Sequence, residues 1–217
     1  MVSAVIGVVL LGIALFGSAG TFDYWQAWVF IGVFVVATLA PSFYLAMKDP
    51  AALQRRMRGG PKAETRRMQK VIITISLISL VAVLIVSAVD HREGWSNVPT
   101  PVVILGDVLV AVGLIVSLGV VFQNRFAGAS IRVEPGQQVV STGMYGVVRH
   151  PMYVGNVIVV IGMPLALGSY WALLAVFVTL PALAVRITDE EKMLRAELDG
   201  YAAYTEKVRY RLMPYVW

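Results

Sequence analysis

The sequence predicts an all-α integral membrane protein, with four spanning helices followed by a C-terminal transmembrane helical hairpin and a cytoplasmic tail helix. Three observations predict it. Of the 217 residues, 58% are hydrophobic and 14% charged, too little polar surface to coat a soluble globule. Apolar runs recur near the roughly 20 residues that a helix needs to cross the hydrocarbon. Basic residues gather in alternate connections rather than along the whole chain.

The runs are 2–18, 25–47, 70–89 and 100–122. The first stands where a signal peptide would, but no Lys or Arg follows Met1 and Gly17-Ser18-Ala19-Gly20 is a poor cleavage sequence, so a retained helix is expected. Trp25 and Trp28 at the start of the second run read as interfacial anchors. The connection that follows carries Lys48, Arg55, Arg56, Arg58, Lys62, Arg66, Arg67 and Lys70, of which Arg55, Arg56, Arg58, Arg66 and Arg67 suit anionic lipid. Asp107 inside the fourth run reads as a residue at headgroup depth or as a helix–helix partner.

A last apolar stretch, about 153–185, is too long for one ordinary crossing and holds Pro164, Gly168 and Ser169 at its middle. Two antiparallel helices, about 153–166 and 170–188, joined by Leu165-Ala166-Leu167-Gly168-Ser169, compete with one long kinked helix. Charge decides between them. Seventeen of the 18 Lys and Arg fall in 48–70, 123–152 and 186–217, leaving Arg92 alone in 90–99. The positive-inside rule then places those three segments, and both termini, in the cytoplasm, so the stretch must go in and come back. Tyr170 and Trp171 anchor the tip, and Tyr201, Tyr204, Tyr210 and Trp217 suit a tail packed back on the bundle. The expectation is a single membrane domain, with N-terminal helices over 1–122 and a second half over 123–217, in a bacterial-type inner membrane.

The absence of cysteine excludes disulfides, thiolate metal sites and cysteine nucleophiles, and two histidines, His91 and His150, are too few for a His-built metal cluster. No metal is expected. The net charge of +5 is accounted for by membrane topology, so no nucleic-acid partner is expected either. The partner expected from composition is the lipid bilayer.

There, Glu134-Pro135-Gly136-Gln137-Gln138 forms a turn that leads through Val139 and Val140 to Arg149-His150-Pro151-x-Tyr153-x-Gly155. Pro151 suits the first turn of a helix, whose free N–H groups favour an anionic group just ahead of it. Arg149 and His150 read either as a site or as ordinary interfacial snorkelling. Arg186 and Glu190, four apart, share a helix face that Leu194 continues, while Asp189 and Glu191 read as solvated. The pair is either a plain surface ion pair or a ligand-binding couple, and the hairpin brings it back to the membrane face that holds His150.

In order, Gln137-Gln138-Val139-Val140, Gly143-x-Tyr145, Arg149-His150-Pro151-x-Tyr153-x-Gly155, the hairpin, Arg186-x-x-x-Glu190-Glu191-x-x-Leu194 and Tyr201-x-x-Tyr204 resemble the isoprenylcysteine carboxyl methyltransferase family, which is similar to the membrane phospholipid methyltransferases. The resemblance covers about 120–217. It implies methyl transfer from S-adenosylmethionine at the membrane–cytosol boundary, with S-adenosylhomocysteine as product and without a Rossmann sheet. Carried over by residue, it implies cofactor contacts from Gln137, Gln138, Val139, Val140, Tyr145, His150, Pro151, Met152, Tyr153 and Glu190. Arg186 would face the substrate, and Arg186 and Glu190 would be the catalytic pair. Family members often carry His where Gln137 stands, and Phe126–Ser130 shows no family signature, so Ser130 is a weaker candidate.

Methyl transfer to a carboxylate or thiolate needs little acid–base help and mainly alignment and exclusion of water, whereas an amine acceptor must lose a proton, for which Glu190 is the nearest carboxylate. His150 reads as a hydrogen-bonding ligand group rather than a general base, because a helix start disfavours its protonation. A lipophilic carboxylate is the expected acceptor, with a phospholipid amine or a small thiol as alternatives. A small transporter or a structural membrane protein are the non-enzymatic readings.

Overall fold

The computed structural model describes residues 2–57 and 59–217, with side chains from Val5 onward; Arg58 of the basic connection lies outside the described residues. Every regular element among them is helical. The helices are α1 (Val2–Gly12, continued by a wider π turn over Ile13–Gly17), α2 (Trp25–Lys48), α3 (Pro50–Met57), α4 (Arg67–Glu93), α5 (Thr100–Gln123), α6 (Pro151–Ala166), α7 (Val176–Glu197) and α8 (Tyr201–Lys207).

Among the described residues four helices are long and apolar enough to cross a membrane: Trp25–Lys48, Arg67–Glu93, Thr100–Gln123, and Trp171–Glu197, in which a 3-10 turn runs into α7. The helical course Val2–Gly17 follows the expected run 2–18. Pro151–Ala166, the first arm of the expected hairpin, is a shorter apolar helix, and α7 continues unbroken through the charged residues 186–197. The basic connection holds a short helix, α3, where the sequence reading had only a loop.

The break after α6 has a defined cause. Gly168 adopts a left-handed φ of 70°, its N–H bonds Leu165 O at 2.9 Å and the next N–H, of Ser169, bonds Pro164 O at 2.9 Å. This pair of bonds is a Schellman cap, which satisfies the last carbonyls of α6 and turns the chain. The turn is then clamped from the other half. Buried Asp90 accepts hydrogen bonds from Ser96 N (2.7 Å), Ser96 Oγ (2.6 Å) and Ser169 Oγ, while the Tyr24 hydroxyl donates to Leu167 O (2.6 Å).

α5 makes its most extensive contact with α6, and the reason is a stripe of small residues. Gly106, Gly113 and Ser117 on α5 face Gly155 and Gly162 on α6, all buried. A Cβ added at Gly113 would lie 2.6 Å from Gly155 O, and one at Gly162 would lie 2.8 Å from Leu109 Cβ. Small residues let the two backbones meet, the usual way helices associate where lipid removes any hydrophobic drive between them. Around this seam Leu15, Phe30, Val83, Val110 and Met163 fill one core. Asp107 is also buried in the bundle, with neither carboxylate oxygen hydrogen-bonded within the structure.

Gly113→Val is expected to lower stability in detergent by about 3 kcal/mol or prevent folding, since neither backbone can retreat. Gly32→Ala, where an added Cβ meets nothing within 4 Å, should leave the unfolding temperature unchanged. Thermal unfolding of the two variants in the same detergent checks this.

Candidate active site

Between α5 and α6 the chain runs for 27 residues with one 3-10 turn, Gly143–Gly146, as its only helix. It is held down by the end of α7 and by α8. Ile131 packs with Met193, Leu194, Leu198, Tyr201, Tyr204 and Val208, and half-buried Val133 and Val139 join them. What these elements leave between them is an open cleft of about 800 Å³ including its mouth.

Gln137, Gln138, Val139, Val140, Tyr145, His150, Pro151, Met152, Tyr153 and Glu190 all line this cleft, and so does Ser130. Two of them are already engaged locally. Gln137 Oε1 accepts the Glu134 N–H at 2.9 Å and so closes its own turn, and Ser130 Oγ accepts from Arg132 Nη2 at 3.1 Å. Arg186 does not reach the cleft. It lies behind Tyr153, buried, donating from Nε to the Tyr153 hydroxyl (3.0 Å), from Nη1 to Gln69 Oε1 (2.8 Å), and from Nη2 to Glu64 Oε1 (2.8 Å) and Ala129 O (3.1 Å). Tyr153 passes its own proton on to Glu190 Oε2 at 2.7 Å. The i, i+4 couple of Arg186 and Glu190 is therefore bridged by a tyrosine rather than paired directly.

Glu191 and Asp189, expected to be solvated, are not. Asp189 pairs with Arg66 at 2.8 Å and accepts from Gln69 Nε2. Glu191 is 3% exposed and is the centre of a second cluster. The physical reason is helical phase: Ile187, Glu191 and Leu194 form an i, i+4, i+7 stripe against the protein interior. Glu191 Oε1 lies 2.9 Å from Arg149 Nε and 3.2 Å from His150 Nε2, and Oε2 accepts from Arg211 Nε at 3.0 Å. The Arg149 contact is a charge pair without hydrogen-bond alignment, so that Nε has no directed partner. The tail segment docks alongside. Arg149 N–H bonds Tyr210 O (2.9 Å) and His150 N–H bonds Arg211 O (3.0 Å), which fixes the backbone of the motif just ahead of α6.

Three tyrosines finish the cleft. Tyr204 donates to Tyr145 O at 2.7 Å, and Asn124 Nδ2 donates to the Tyr145 hydroxyl at 3.2 Å. Burial pushes the Tyr145 phenol up to about 12, with the Glu190 charge adding to it and the Asn124 bond opposing it. Burial, then Glu191 and Glu190, also raises Tyr201, whose hydroxyl has no partner within the structure. All three phenols are protonated at neutral pH.

Glu64, Gln69, Arg211 and the inward Glu191 escaped the sequence reading. Only Glu191 carried a visible signal, its phase with Ile187 and Leu194; the others meet the site by tertiary contacts from distant segments.

Residues 101–198 match the model of the phospholipid methyltransferase family. A stretch of 92 residues is 32% identical to the Delta(14)-sterol reductase TM7SF2 of Mus musculus, covering 41% of this chain and 22% of that protein. The chain thus spans about a fifth of that relative's length. The family match leaves out α1 to α4, including Glu64 and Gln69.

Glu191→Gln should destabilise the protein by about 3 kcal/mol, because it leaves two arginines and a histidine around a buried neutral amide. Chemical denaturation in detergent, compared with exposed Glu197→Gln as the neutral control, reads this directly.

Proposed function

We propose that the chain is an S-adenosylmethionine-dependent methyltransferase of the membrane–cytosol boundary, with the cleft as its cofactor site and a lipophilic acceptor, most simply a carboxylate. The observation that carries this is Glu190, a carboxylate lining the cleft and held by Tyr153 at 2.7 Å. An acid there suits a ligand bearing an ammonium or sulfonium. The free Tyr201 hydroxyl and the imperfectly paired Arg149 offer donors for the carboxylate of the same ligand. The residues present therefore fit the cofactor. When bound, S-adenosylmethionine supplies an electrophilic methyl group.

The chain's own residues orient and exclude water. Gln137, Gln138, Val139 and Val140 form one wall, and Tyr145, His150, Pro151, Met152 and Tyr153 form the other. His150 holds its Nε2 toward Glu191 and is a ligand-facing ring rather than a base. Arg186, with donors on all three nitrogens committed, acts through Tyr153 rather than on the acceptor itself. For an acceptor amine, the proton would go to the Glu190 carboxylate, a reading that the phospholipid methyltransferase match favours as second choice.

The likeness to a sterol reductase raises a different occupant, a nicotinamide dinucleotide. Its phosphates would meet Glu190, while the two cleft arginines are already matched by acids, Arg132 by Glu134 at 3.3 Å and Arg149 by Glu191. The charge pattern favours the sulfonium.

Membrane placement follows the same reading. The basic connection and the cleft lie at one end of the bundle, joined by Arg66–Asp189 and by Arg55 Nε donating to Arg125 O at 2.8 Å, which supports a cytoplasmic cleft and cytoplasmic termini. The break after α6 supports a transmembrane hairpin of α6 and α7, with α8 as the tail helix.

Titration calorimetry of nanodisc-held protein with S-adenosylhomocysteine is expected to give micromolar binding that Glu190→Ala abolishes. NADPH run in parallel should not bind. Absence of saturable S-adenosylhomocysteine binding by the wild type would sink the proposal.

A further inference from the structure

Glu64 sits between α3 and α4 in the basic segment 48–70, among its seven described cations, and its side chain is fully enclosed. A carboxylate buried in that way needs partners, and it has two, both belonging to the other half of the chain. Oε1 accepts from Arg186 Nη2 at 2.8 Å and Oε2 accepts the Ile131 N–H at 3.1 Å. Ile131 is part of the cleft wall. Arg186 is the hub that donates to Ala129 O on that wall and to the Tyr153 hydroxyl, which in turn donates to Glu190.

From this geometry we infer that Glu64 is a positioning residue for the ligand cleft, an acid supplied by the N-terminal half that sets both the Ala129–Ile131 wall and the Tyr153–Glu190 pair. The inference rests on the cofactor reading of the cleft. Gln69 assists from α4, accepting from Arg186 Nη1. The charge of Glu64 is matched one to one by Arg186, and each carboxylate oxygen takes a different donor. Gln in its place offers one acceptor and one NH₂, so it can satisfy Arg186 or Ile131 and must confront the other with a second donor. A loop that merely rests on α7 would not have this requirement. The nearby pair of Arg66 and Asp189 supplies the comparison, because it joins the same loop to the same helix with no direct bond to Arg186, Tyr153 or Glu190 and meets that chain only at second hand, through the Gln69 amide that donates to Asp189.

The test compares Glu64→Gln with Arg66→Gln in nanodiscs by two readouts. Hydrogen exchange without ligand should show faster exchange at 129–133 and at the start of α6 in Glu64→Gln alone. S-adenosylhomocysteine affinity should fall about tenfold or more in Glu64→Gln and stay within about twofold in Arg66→Gln. Gln69→Met, which removes a neutral partner of Arg186, should weaken binding in the same direction and stands in if Glu64→Gln does not fold. Equal effects of the two arginine-side and acid-side loop variants, or unchanged exchange and affinity in both Glu64→Gln and Gln69→Met, overturn the inference. A wild type that binds no S-adenosylhomocysteine defeats the cofactor reading instead, and the exchange comparison then decides the positioning role alone.

Discussion

Charges placed at the end of an apolar bundle must be matched donor by donor, and the second half of this protein is arranged around that requirement. Arg186 and Glu191 stand five residues apart on α7, both nearly inaccessible. An unmatched ion in such a place is a large penalty, while a fully hydrogen-bonded one is tolerable and geometrically demanding. Arg186 draws in the α3–α4 connection, the Ala129 carbonyl and the first turn of α6. Glu191 draws in the Arg149-His150 motif and the tail through Arg211. The cleft is the space enclosed when both sets are satisfied at once.

The opposite end of the bundle works by the same rule, with neutral donors gathered around one acid. Asp90 gathers the hydroxyls of Ser96 and Ser169, and Tyr24, stacked on His91 at 3.9 Å, reaches across to Leu167. The α6–α7 turn is thereby fixed to the N-terminal helices at one end as firmly as Arg186 fixes α7 to them at the other. Helices outside the region matched to the methyltransferase family are therefore structural partners of that region at both of its ends.

Much of this was legible in the sequence because the relevant signals are local. Run lengths and the crowding of cations into three segments read out the helices; Pro164, Gly168 and Ser169 marked the turn; and the ordered motifs named ten residues that the structure gathers on one cleft. What could not be read was the partner of each charge. Glu64 is one acid in a run of cations and has no periodicity to betray that it turns inward, and Arg211 looks like any tail residue. Arg186 was read as facing a substrate because nothing local shows that four protein acceptors already surround it. The charge of Glu191 argued for solvent and its phase for the interior, and phase won because the tail supplies a cover.

The glycine seam between α5 and α6 has a consequence for motion. Two backbones in direct contact leave no room for one helix to slide or tilt against the other, so α5 and α6 behave as a single stiff strut. The floor of the cleft, which α6 begins, is anchored to that strut. Its roof, an irregular segment after α5 together with the short helix α8, is held by side-chain hydrogen bonds instead of by a backbone seam. Compliance is thus divided unequally, greater in the roof than in the floor.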